Sequence, residues 1–359
     1  MSKLIFYIPS LKSGGAEKQC SLVAAELKKA YGYDIEIVTT HSPDNRNANL
    51  ENFKRVADAH IPVRALAWYK VADVWKLFRL FRVNRGSILI CYMTFPNFVG
   101  GVLGRLAGVR AIYGGVRTDR LPLRFMIMEY IAHYLFTNGT VFNSWRAYNR
   151  FTSRGFLKSR SIVITNAIGS TKWIQTHNTV RARIRIITVG VFNEAKDYRT
   201  WLEVVNACAE RGKVEAVIIG YGMLETSIKE WIAELQLGDI VTILPGNDGC
   251  GIAEELSKAD VYLNTSIREG TSNSILEAMR AGLPVVATDV GDNAKLITDG
   301  CNGFVAKAKD VVALSEKLRR LIFDGTLRRQ FGENSRIRIA SDYSIPSVVA
   351  QYRKLFGEI

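Results

Sequence analysis

The sequence predicts an α/β protein with two doubly wound parallel sheets, and three observations support this fold class. Short, nearly continuous apolar segments alternate with helix-sized segments, which is typical of parallel strands covered by helices on both faces. The chain has 359 residues, and a hydrophobic content of 48% is enough for two cores. The strands fall into two sets, separated by a polar stretch at 169–183. We therefore expect two Rossmann-like domains, each with ligands at the carboxyl ends of its strands.

The apolar segments define the predicted elements in order. The strands of the first set are expected near 3–8, 35–40, 88–92, 111–113, 140–142 and 162–165. Those of the second set are expected near 184–189, 215–219, 240–244, 261–265 and 285–288. The polar stretch between the sets is the predicted linker, so the domains are expected at 1–170 and 171–342. A last helix is predicted at about 343–356, within a final segment 343–359.

Charge is distributed unequally between the two halves. Residues 1–170 contain 24 Lys and Arg against 10 Asp and Glu, a net charge of +14, whereas residues 171–359 contain 24 of each class. A half this basic is expected to bind an anionic partner. The candidates are nucleic acid, an anionic membrane surface or a phosphorylated acceptor.

Two basic clusters stand out in this half. The segment 68–86 combines Trp75, Phe78 and Phe81 with Lys and Arg, which is the composition of an interfacial helix. A surface helix that packs its aromatic stripe on the sheet has the same composition, and both interpretations stay open. The second cluster consists of Arg110, Arg117, Arg120 and Arg124.

The cellular compartment is indicated by the cysteines and by the start of the chain. The five cysteines are odd in number, form no Cys-x-x-Cys pair and have no metal-ligand spacing with the four histidines, which predicts a reduced, cytosolic chain. The first residues are interpreted as a strand and not as a signal peptide. Residues 86–104 are uncharged, but Pro96, Asn97 and Gly100 favour a buried strand, loop and helix over a membrane span. We expect a cytoplasmic protein that is soluble or peripheral to a membrane.

The segment around Glu269 and Glu277 is the most informative part of the chain. A strand at 261–265 is followed by a polar loop at 266–273 and then by a helix from Ser274 to Ala281. A loop that ends at a helix start presents unpaired N–H groups and the positive end of the helix dipole, which suits a diphosphate. Glu269 is expected in the loop and Glu277 about one turn into the helix. The alternative is a capping box, in which Glu277 and Ser274 only satisfy backbone donors.

The run Glu269-Gly-Thr-Ser-Asn-Ser-Ile-Leu-Glu277 resembles the Glu-x7-Glu signature of the retaining glycosyltransferases of family four, which have the GT-B fold. The resemblance extends along most of the chain. Within this family, the chain resembles bacterial surface-polysaccharide glycosyltransferases. Four further segments match in the same order: Ser13-Gly14-Gly15-Ala16-Glu17; Val189-Gly190 with Lys196-Asp197; Gly220-Tyr-Gly222; and 299–305. This resemblance implies two domains that face a cleft, the first binding the acceptor and the second binding the nucleotide sugar, with the last helix crossing back to the first domain.

The resemblance also implies roles for single residues. Glu269 would face the donor sugar and stabilise the positive charge that develops at its anomeric carbon, and Glu277 would accept hydrogen bonds from the ribose. Arg117 would act at the acceptor or the phosphate as a second catalytic residue. The remaining donor-binding residues would be Gly15, Lys196, Arg268, Gly270, Thr271, Ser272 and Asn273. No metal site and no cofactor are expected, because the chain has no Asp-x-Asp and the nucleotide sugar is a co-substrate.

Four departures from the family pattern are present. Lys295 stands where an acid is often found, and Ala167 replaces the glycine of the usual Asn-Gly pair at Asn166. Val191 stands five residues before Lys196, where the family usually has an arginine, so Arg268 or an arginine of the first domain would have to neutralise the diphosphate. The run Gly114-Gly-Val-Arg117 replaces a segment in which many members carry a histidine.

The function implied is a retaining, metal-independent glycosyltransferase that moves a hexose or N-acetylhexosamine from a nucleotide diphosphate, with UDP expected. The acceptor would be an oligosaccharide or a lipid-linked glycan, with a polyprenyl diphosphate carrier, in bacterial surface polysaccharide synthesis. The protein would lie on an anionic membrane surface, at the inner face of the cell membrane, and bind no nucleic acid. The alternatives are a nucleotide-sugar epimerase of GT-B fold and a non-catalytic membrane or nucleic-acid binder on the same scaffold.

Overall fold

The structure is a computed structural model that describes residues 3–12, 14–41, 50–169, 183–210, 212–246 and 249–357. The chain divides into two compact units. The first unit comprises Met1–Gly169 and Ser344–Ile359, and the second comprises Ser170–Tyr343. Most of the predicted linker, residues 170–182, lies outside the described residues.

Each unit contains one parallel sheet. In the described part of the first unit the strands are β1 (Leu4–Ile8), β2 (Ile35–Thr39), β3 (Val63–Ala65), β4 (Ile88–Cys91), β5 (Ala111–Val116), β6 (Gly139–Phe142) and β7 (Ser161–Val163), in the spatial order β3-β2-β1-β4-β5-β6-β7. In the described part of the second unit they are β8 (Ile184–Val191), β9 (Val214–Tyr221), β10 (Val241–Pro245), β11 (Val261–Asn264), β12 (Val285–Thr288) and β13 (Gly303–Ala306), in the order β10-β9-β8-β11-β12-β13.

The helices cover these sheets. In chain order they are α1 (Gly15–Tyr31), α2 (Leu50–Asp58), α3 (Val71–Val83), α4 (Thr94–Ala107), α5 (Leu123–Ile131), α6 (Trp145–Thr152), α7 (Tyr198–Cys208), α8 (Glu225–Glu234), α9 (Gly249–Ser257), α10 (Asn273–Arg280), α11 (Asn293–Leu296), α12 (Val311–Phe323), α13 (Gly325–Arg338) and α14 (Ile345–Phe356). Residues Ala132–Phe136 and Ile339–Tyr343 form π-helical turns, and Lys158–Arg160 and Glu194–Lys196 form 3₁₀ turns.

The central strands explain why both sheet faces are covered. All five residues of β1 are buried, and its side chains alternate between two cores. Leu4, Phe6 and Ile8 pack with α1 and α14, whereas Ile5 and Tyr7 pack with α3 and α4. A strand that is apolar on both faces needs helices on both sides, so the continuous apolar run in the sequence follows from the three-layer architecture.

Each sheet has one switch point, where the strand order reverses. In the first unit β1 pairs with both β2 and β4, and in the second unit β8 pairs with both β9 and β11. Ligands of doubly wound sheets bind at the carboxyl ends of the strands at such a point. The loops after β1 and β4, and those after β8 and β11, are therefore where sites are expected.

The predicted α/β fold class with two doubly wound parallel sheets is confirmed. The sequence did not predict β3 or β13, and β5 extends three residues beyond its predicted end, so Arg117 directly follows this strand. The aromatic stripe of α3 packs inward at Phe81, which is fully buried, while Trp75 remains 59% exposed. No helix in the described part of the chain is long and apolar enough to cross a membrane.

Candidate active site

The switch point of the second unit brings Lys196 and Glu269 together. After β8 the chain makes a 3₁₀ turn that ends at Lys196, and Asp197 then caps α7 by accepting hydrogen bonds from the amide (3.4 Å) and hydroxyl (2.8 Å) of Thr200. The loop after β11 is bonded to this turn. The Ile267 amide donates to the Ala195 carbonyl at 2.8 Å, so the two loops form one backbone unit.

Lys196 and Glu269 form an ion pair, in which Lys196 Nζ lies 2.5 Å from Glu269 Oε1. Ser266 Oγ donates to the same carboxylate oxygen at 2.8 Å. Ser266 is fully buried, and its own carbonyl accepts a hydrogen bond of 2.5 Å from Thr288 Oγ1. The Glu269 side chain is thus held in one orientation by two donors, as a fixed anionic acceptor beside a cation.

The Glu269 loop is also held from the other side, by the segment after β12. Gly291 has a φ of +62°, and a Cβ at this position would lie 2.5 Å from the Glu269 carbonyl oxygen and 2.6 Å from that of Gly270. The Asp292 amide donates to the Gly270 carbonyl at 3.0 Å, and Thr271 Oγ1 donates to Asp292 Oδ2 at 3.3 Å. A glycine at 291 is required for this close backbone approach.

The loop ends at the N-terminus of α10. Ser272 is the N-cap residue, and its side chain makes no capping hydrogen bond. The first-turn amides lie at the positive end of the helix dipole, as an anion site requires. The alternative interpretation, a capping box from Ser274 to Glu277, does not hold, because Ser274 is the second residue of the helix and not its cap. The helix begins one residue earlier than predicted.

Glu277 is the fifth residue of α10, about one turn into the helix as expected. It is partly buried and lies near Arg280. Burial lowers the pKa of Arg280 to about 10, and the negative charge of Glu277 opposes this effect. The two charged side chains therefore share a partly desolvated environment on one face of the helix.

The other predicted donor residues have more varied positions. Thr271 and Ser272 are buried in the loop, and Gly270 and Asn273 are partly exposed. The Arg268 side chain is exposed, while its amide approaches the Ala195 carbonyl at 3.4 Å. Val191 is 43% exposed at the end of β8 and supplies no charge.

The carboxyl ends of β8 and β9 are closely packed. A Cβ on Gly220 would lie 2.0 Å from the Gly190 carbonyl oxygen, and one on Gly190 would lie 3.2 Å from Lys196 Cε. Because these two residues have no side chain, the ends of the two strands and the aliphatic part of Lys196 can pack closely together.

Gly15 and Arg117 lie in the first unit. Gly15 is the exposed first residue of α1. Arg117 Nη2 donates to Tyr352 Oη at 3.2 Å, and its guanidinium carbon lies 4.3 Å from the ring centroid of Tyr92. Arg117 thus ties the end of β5 to α14, a contact that the sequence did not indicate.

The switch point of the first unit contains an apolar cavity of about 260 Å³. It lies at the carboxyl ends of β1, β4 and β5 and is lined by Pro9, Met93, Thr94, Phe95, Val116, Arg117, Thr118, Leu121, Phe125 and Glu129. Glu129 is buried, and both its oxygens accept from Asn97 Nδ2 at 3.0 Å. Burial raises the pKa of Glu129 to about 7.

Sequence reasoning missed Glu129, although one signal was present. Between 74 and 169 the sequence has two acidic residues, Asp119 and Glu129, and Glu129 stands in an apolar run. His133 in the same run is a core histidine: its Nδ1 is 2.8 Å from Thr140 Oγ1, and its Nε2 accepts from the Leu157 amide at 3.1 Å. Burial lowers the pKa of His133 to about 4, so it is neutral at physiological pH.

No group of three or more His, Cys, Asp or Glu side chains in the described ranges is arranged to hold a metal ion.

Comparisons with known proteins agree with this geometry. Residues 170–338 match the family described as glycosyl transferases group 1. N-acetyl-alpha-D-glucosaminyl L-malate synthase of Bacillus anthracis is 24% identical over 174 residues, which are 48% of this chain and 45% of that protein. The amylovoran biosynthesis glycosyltransferase AmsK of Erwinia amylovora is 30% identical over 155 residues, 41% of this chain and 38% of its own length. The chain thus spans less than half the length of these two curated relatives.

Among solved structures, HepE from Anabaena in complex with UDP and glucose superimposes with a TM-score of 0.83. The superposition covers 100% of both chains at 16% sequence identity, a level at which the likeness concerns the fold. The motif order, the two switch points and these matches lead to one assignment. Residues 170–338 resemble the group 1 glycosyltransferases, and the chain has the GT-B fold.

Proposed function

We propose that this protein is a retaining glycosyltransferase that uses UDP-linked hexose or N-acetylhexosamine as its donor. The observation that carries the proposal is the cluster of Lys196, Glu269 and Ser266 at the switch point, next to the uncapped N-terminus of α10. A cation, a fixed carboxylate and the amides at a helix start are what a diphosphate and a sugar need at one place.

Each side chain then has a role in binding the donor. Lys196 binds the diphosphate together with the amides of Gly270 to Asn273, and exposed Arg268 adds the charge that Val191 lacks. Glu277 accepts hydrogen bonds from the ribose hydroxyls. For Gly15, at the start of α1, donor binding stays a prediction from the sequence resemblance.

The chemistry requires positioning more than proton transfer by the protein. The bond from the anomeric carbon to the diphosphate breaks, and the acceptor oxygen forms its bond on the same face while its proton passes to the leaving diphosphate. Glu269 stabilises the positive charge on the sugar ring, and Lys196 stabilises the negative charge on the diphosphate. No metal ion is needed for charge neutralisation in this scheme.

The acceptor is proposed to bind in the first unit, at the apolar cavity after β1, β4 and β5. Arg117 in the cavity wall supplies a positive charge and Glu129 a polar contact. The basic character of this unit supports an acceptor that carries phosphate on a lipid, and an anionic membrane surface. The complex of HepE with UDP supports the nucleotide, and the name of AmsK supports polysaccharide synthesis as the setting. We place the protein on the cytoplasmic face of the bacterial cell membrane.

Calorimetric binding of UDP, GDP and ADP tests the donor site. We expect UDP to bind and the variant Glu277→Ala to lose at least about tenfold in affinity, because a hydrogen bond to a charged group contributes about 1.5–3 kcal/mol. Glu230→Ala, an exposed acid of α8, is the matched control and is expected to bind like the unmodified protein. Equal affinity of Glu277→Ala and the control, or no binding of any nucleotide, would contradict the proposal.

A further inference from the structure

Helix α5 and the π-helical turn after it expose a continuous aliphatic stripe. Leu123 is 68% exposed, Ile127 50%, Ile131 37% and Leu135 62%. The spacing of four residues places the three α5 side chains on one helix face, and Leu135 continues the stripe in the π turn. Four large aliphatic side chains in a row form an exposed patch that needs a partner.

The opposite face of the same helix is fixed to the first unit. Phe125 contacts the ring of Phe95 edge-on at 5.5 Å, and Glu129 is held by Asn97 of α4. On the other flank Tyr130 Oη donates to the carbonyl of Arg154. These contacts prevent rotation of α5 about its axis, so the stripe cannot turn into the core.

The part of the sequence that contains the stripe is basic. From residue 74 to residue 169 the sequence has 14 Lys and Arg against two acids. Asp119 forms an ion pair with Arg146 at 2.8 Å, and Glu129 is buried. Arg124 lies on α5 itself, and Arg154 Nη1 is 3.9 Å from Met126 Sδ of the same helix. Two arginines therefore lie on or against the helix that carries most of the stripe.

Aliphatic side chains rimmed by arginine fit one class of partner. Nucleic acid offers phosphates but little surface for leucine and isoleucine, whereas an anionic bilayer accepts both, with aliphatic groups below the headgroups and cations among them. Helix α3 is less suited to contact a bilayer, because Leu77 and Phe81 face the core and Trp75 stacks on Phe78, with ring centroids 5.6 Å apart.

We infer that the stripe Leu123, Ile127, Ile131 and Leu135 is the surface by which the first unit enters an anionic lipid bilayer. This inference deepens the proposed function, on which it rests, by naming the membrane-contacting element. Because Phe125 and Glu129 on the inner face of α5 line the apolar cavity, a single helix contacts both the bilayer and the proposed acceptor site.

Vesicle co-sedimentation tests the inference with the full chain. The vesicles contain equal parts of phosphatidylcholine and phosphatidylglycerol, and pure phosphatidylcholine is the neutral comparison. The stripe variant carries Leu123→Gln, Ile127→Gln and Leu135→Gln, all at positions that are at least half exposed. The control variant carries Val71→Gln and Trp75→Gln on α3, which are 88% and 59% exposed. UDP calorimetry on the same samples monitors the donor site independently.

We expect the unmodified protein and the α3 control to bind anionic vesicles, and the stripe variant to lose about tenfold or more in partitioning. UDP affinity is expected to be the same in all three proteins. Equal vesicle binding by the stripe variant, or a loss confined to the α3 variant, would overturn the inference. A dimer of the unmodified protein that the stripe variant loses, without any change in vesicle binding, would make the stripe an interface between copies. Absence of vesicle binding by the unmodified protein would remove the membrane from the proposal, and retained UDP binding would leave the donor site intact.

Discussion

Glu129 is a buried acid whose ionisation should control how the stability of the first unit varies with pH. Burial raises its pKa from the ordinary value of 4.5 to about 7. Between these values the folded protein keeps the proton that the unfolded chain has released. The contribution of Glu129 to the free energy of unfolding is therefore expected to be largest at and below about pH 4.5 and to fall by on the order of 3 kcal/mol as the pH rises to about 7.

Chemical unfolding between pH 5 and pH 8 measures this effect. Glu129→Gln cannot ionise, so it is expected to be more stable than the unmodified protein at pH 8 and to show a flatter dependence. Glu230→Gln, at an exposed acid in the second unit, serves as the control and should keep the original slope. If Glu129→Gln retained the slope of the unmodified protein, the raised pKa would be refuted.

At this scale the sequence predicted part of the candidate site. Lys196 and Glu269 were assigned to a common site from motifs 73 residues apart, and the structure places them 2.5 Å apart. Ser266 and Gly291 were not assigned, because their importance comes from contacts between loops and not from a local pattern. The contact of Arg117 with Tyr352 joins residues 235 positions apart, so no local pattern could indicate it. The catalytic roles of Glu269 and Arg117 stay predictions.

At the scale of elements, the loop after β11 depends on the tight turn after β12. Gly291→Ala is expected to displace the Glu269 loop, because its Cβ would lie 2.5 Å from a backbone oxygen that cannot move without breaking the loop contacts. We expect a loss of about 1–3 kcal/mol in stability and weaker UDP binding.

Gly300→Ala is the control that distinguishes the effect of steric crowding at position 291 from the effect of backbone strain. Gly300 also has a positive φ, of +75°, but a Cβ there would meet nothing within 4 Å. The control is expected to lose some stability and to keep its UDP affinity. Thermal unfolding and calorimetry compare the two variants, and equal UDP affinity in both would show that the turn does not position the loop.

The elements that the sequence failed to predict are two edge strands, β3 and β13. β3 has three residues, none of them fully buried, so its apolar signal is weak. β13 is a four-residue strand that follows a turn at 299–302 and pairs with β12 along its length. Its pairing depends on the sheet beside it and not on a strong local pattern. Central strands were predicted because burial on both faces makes them apolar throughout.

At the scale of the whole molecule, α14 completes the core of the first unit. Val348, Val349, Tyr352 and Phe356 pack into the same cluster as β1 and α1. Tyr352→Ala is expected to reduce the stability of the first unit by about 3–5 kcal/mol, since it removes a large buried side chain. Tyr352→Phe keeps the ring and loses only the hydroxyl that accepts from Arg117, so a loss of about 1 kcal/mol is expected.

Hydrogen exchange measured on individual peptides shows which unit loses stability in each variant. In Tyr352→Ala the protection of β1 and α1 is expected to fall, whereas that of β8 and α10 is expected to persist. An equal loss in both units would mean that they unfold as one cooperative block.

The position of α14 at the end of the chain also has a consequence for synthesis. The second unit is a single uninterrupted stretch of chain, whereas the first is made of the beginning and the end of the chain. A ribosome therefore delivers every residue of the second unit before the last segment of the first. Until Ile345–Phe356 has left the exit tunnel, the face of the sheet that packs against α1 and α14 is covered only in part. The order of the two units along the sequence is thus the reverse of the order in which their cores can be completed, and a nascent chain stalled before Ile345 would expose apolar surface of the first unit.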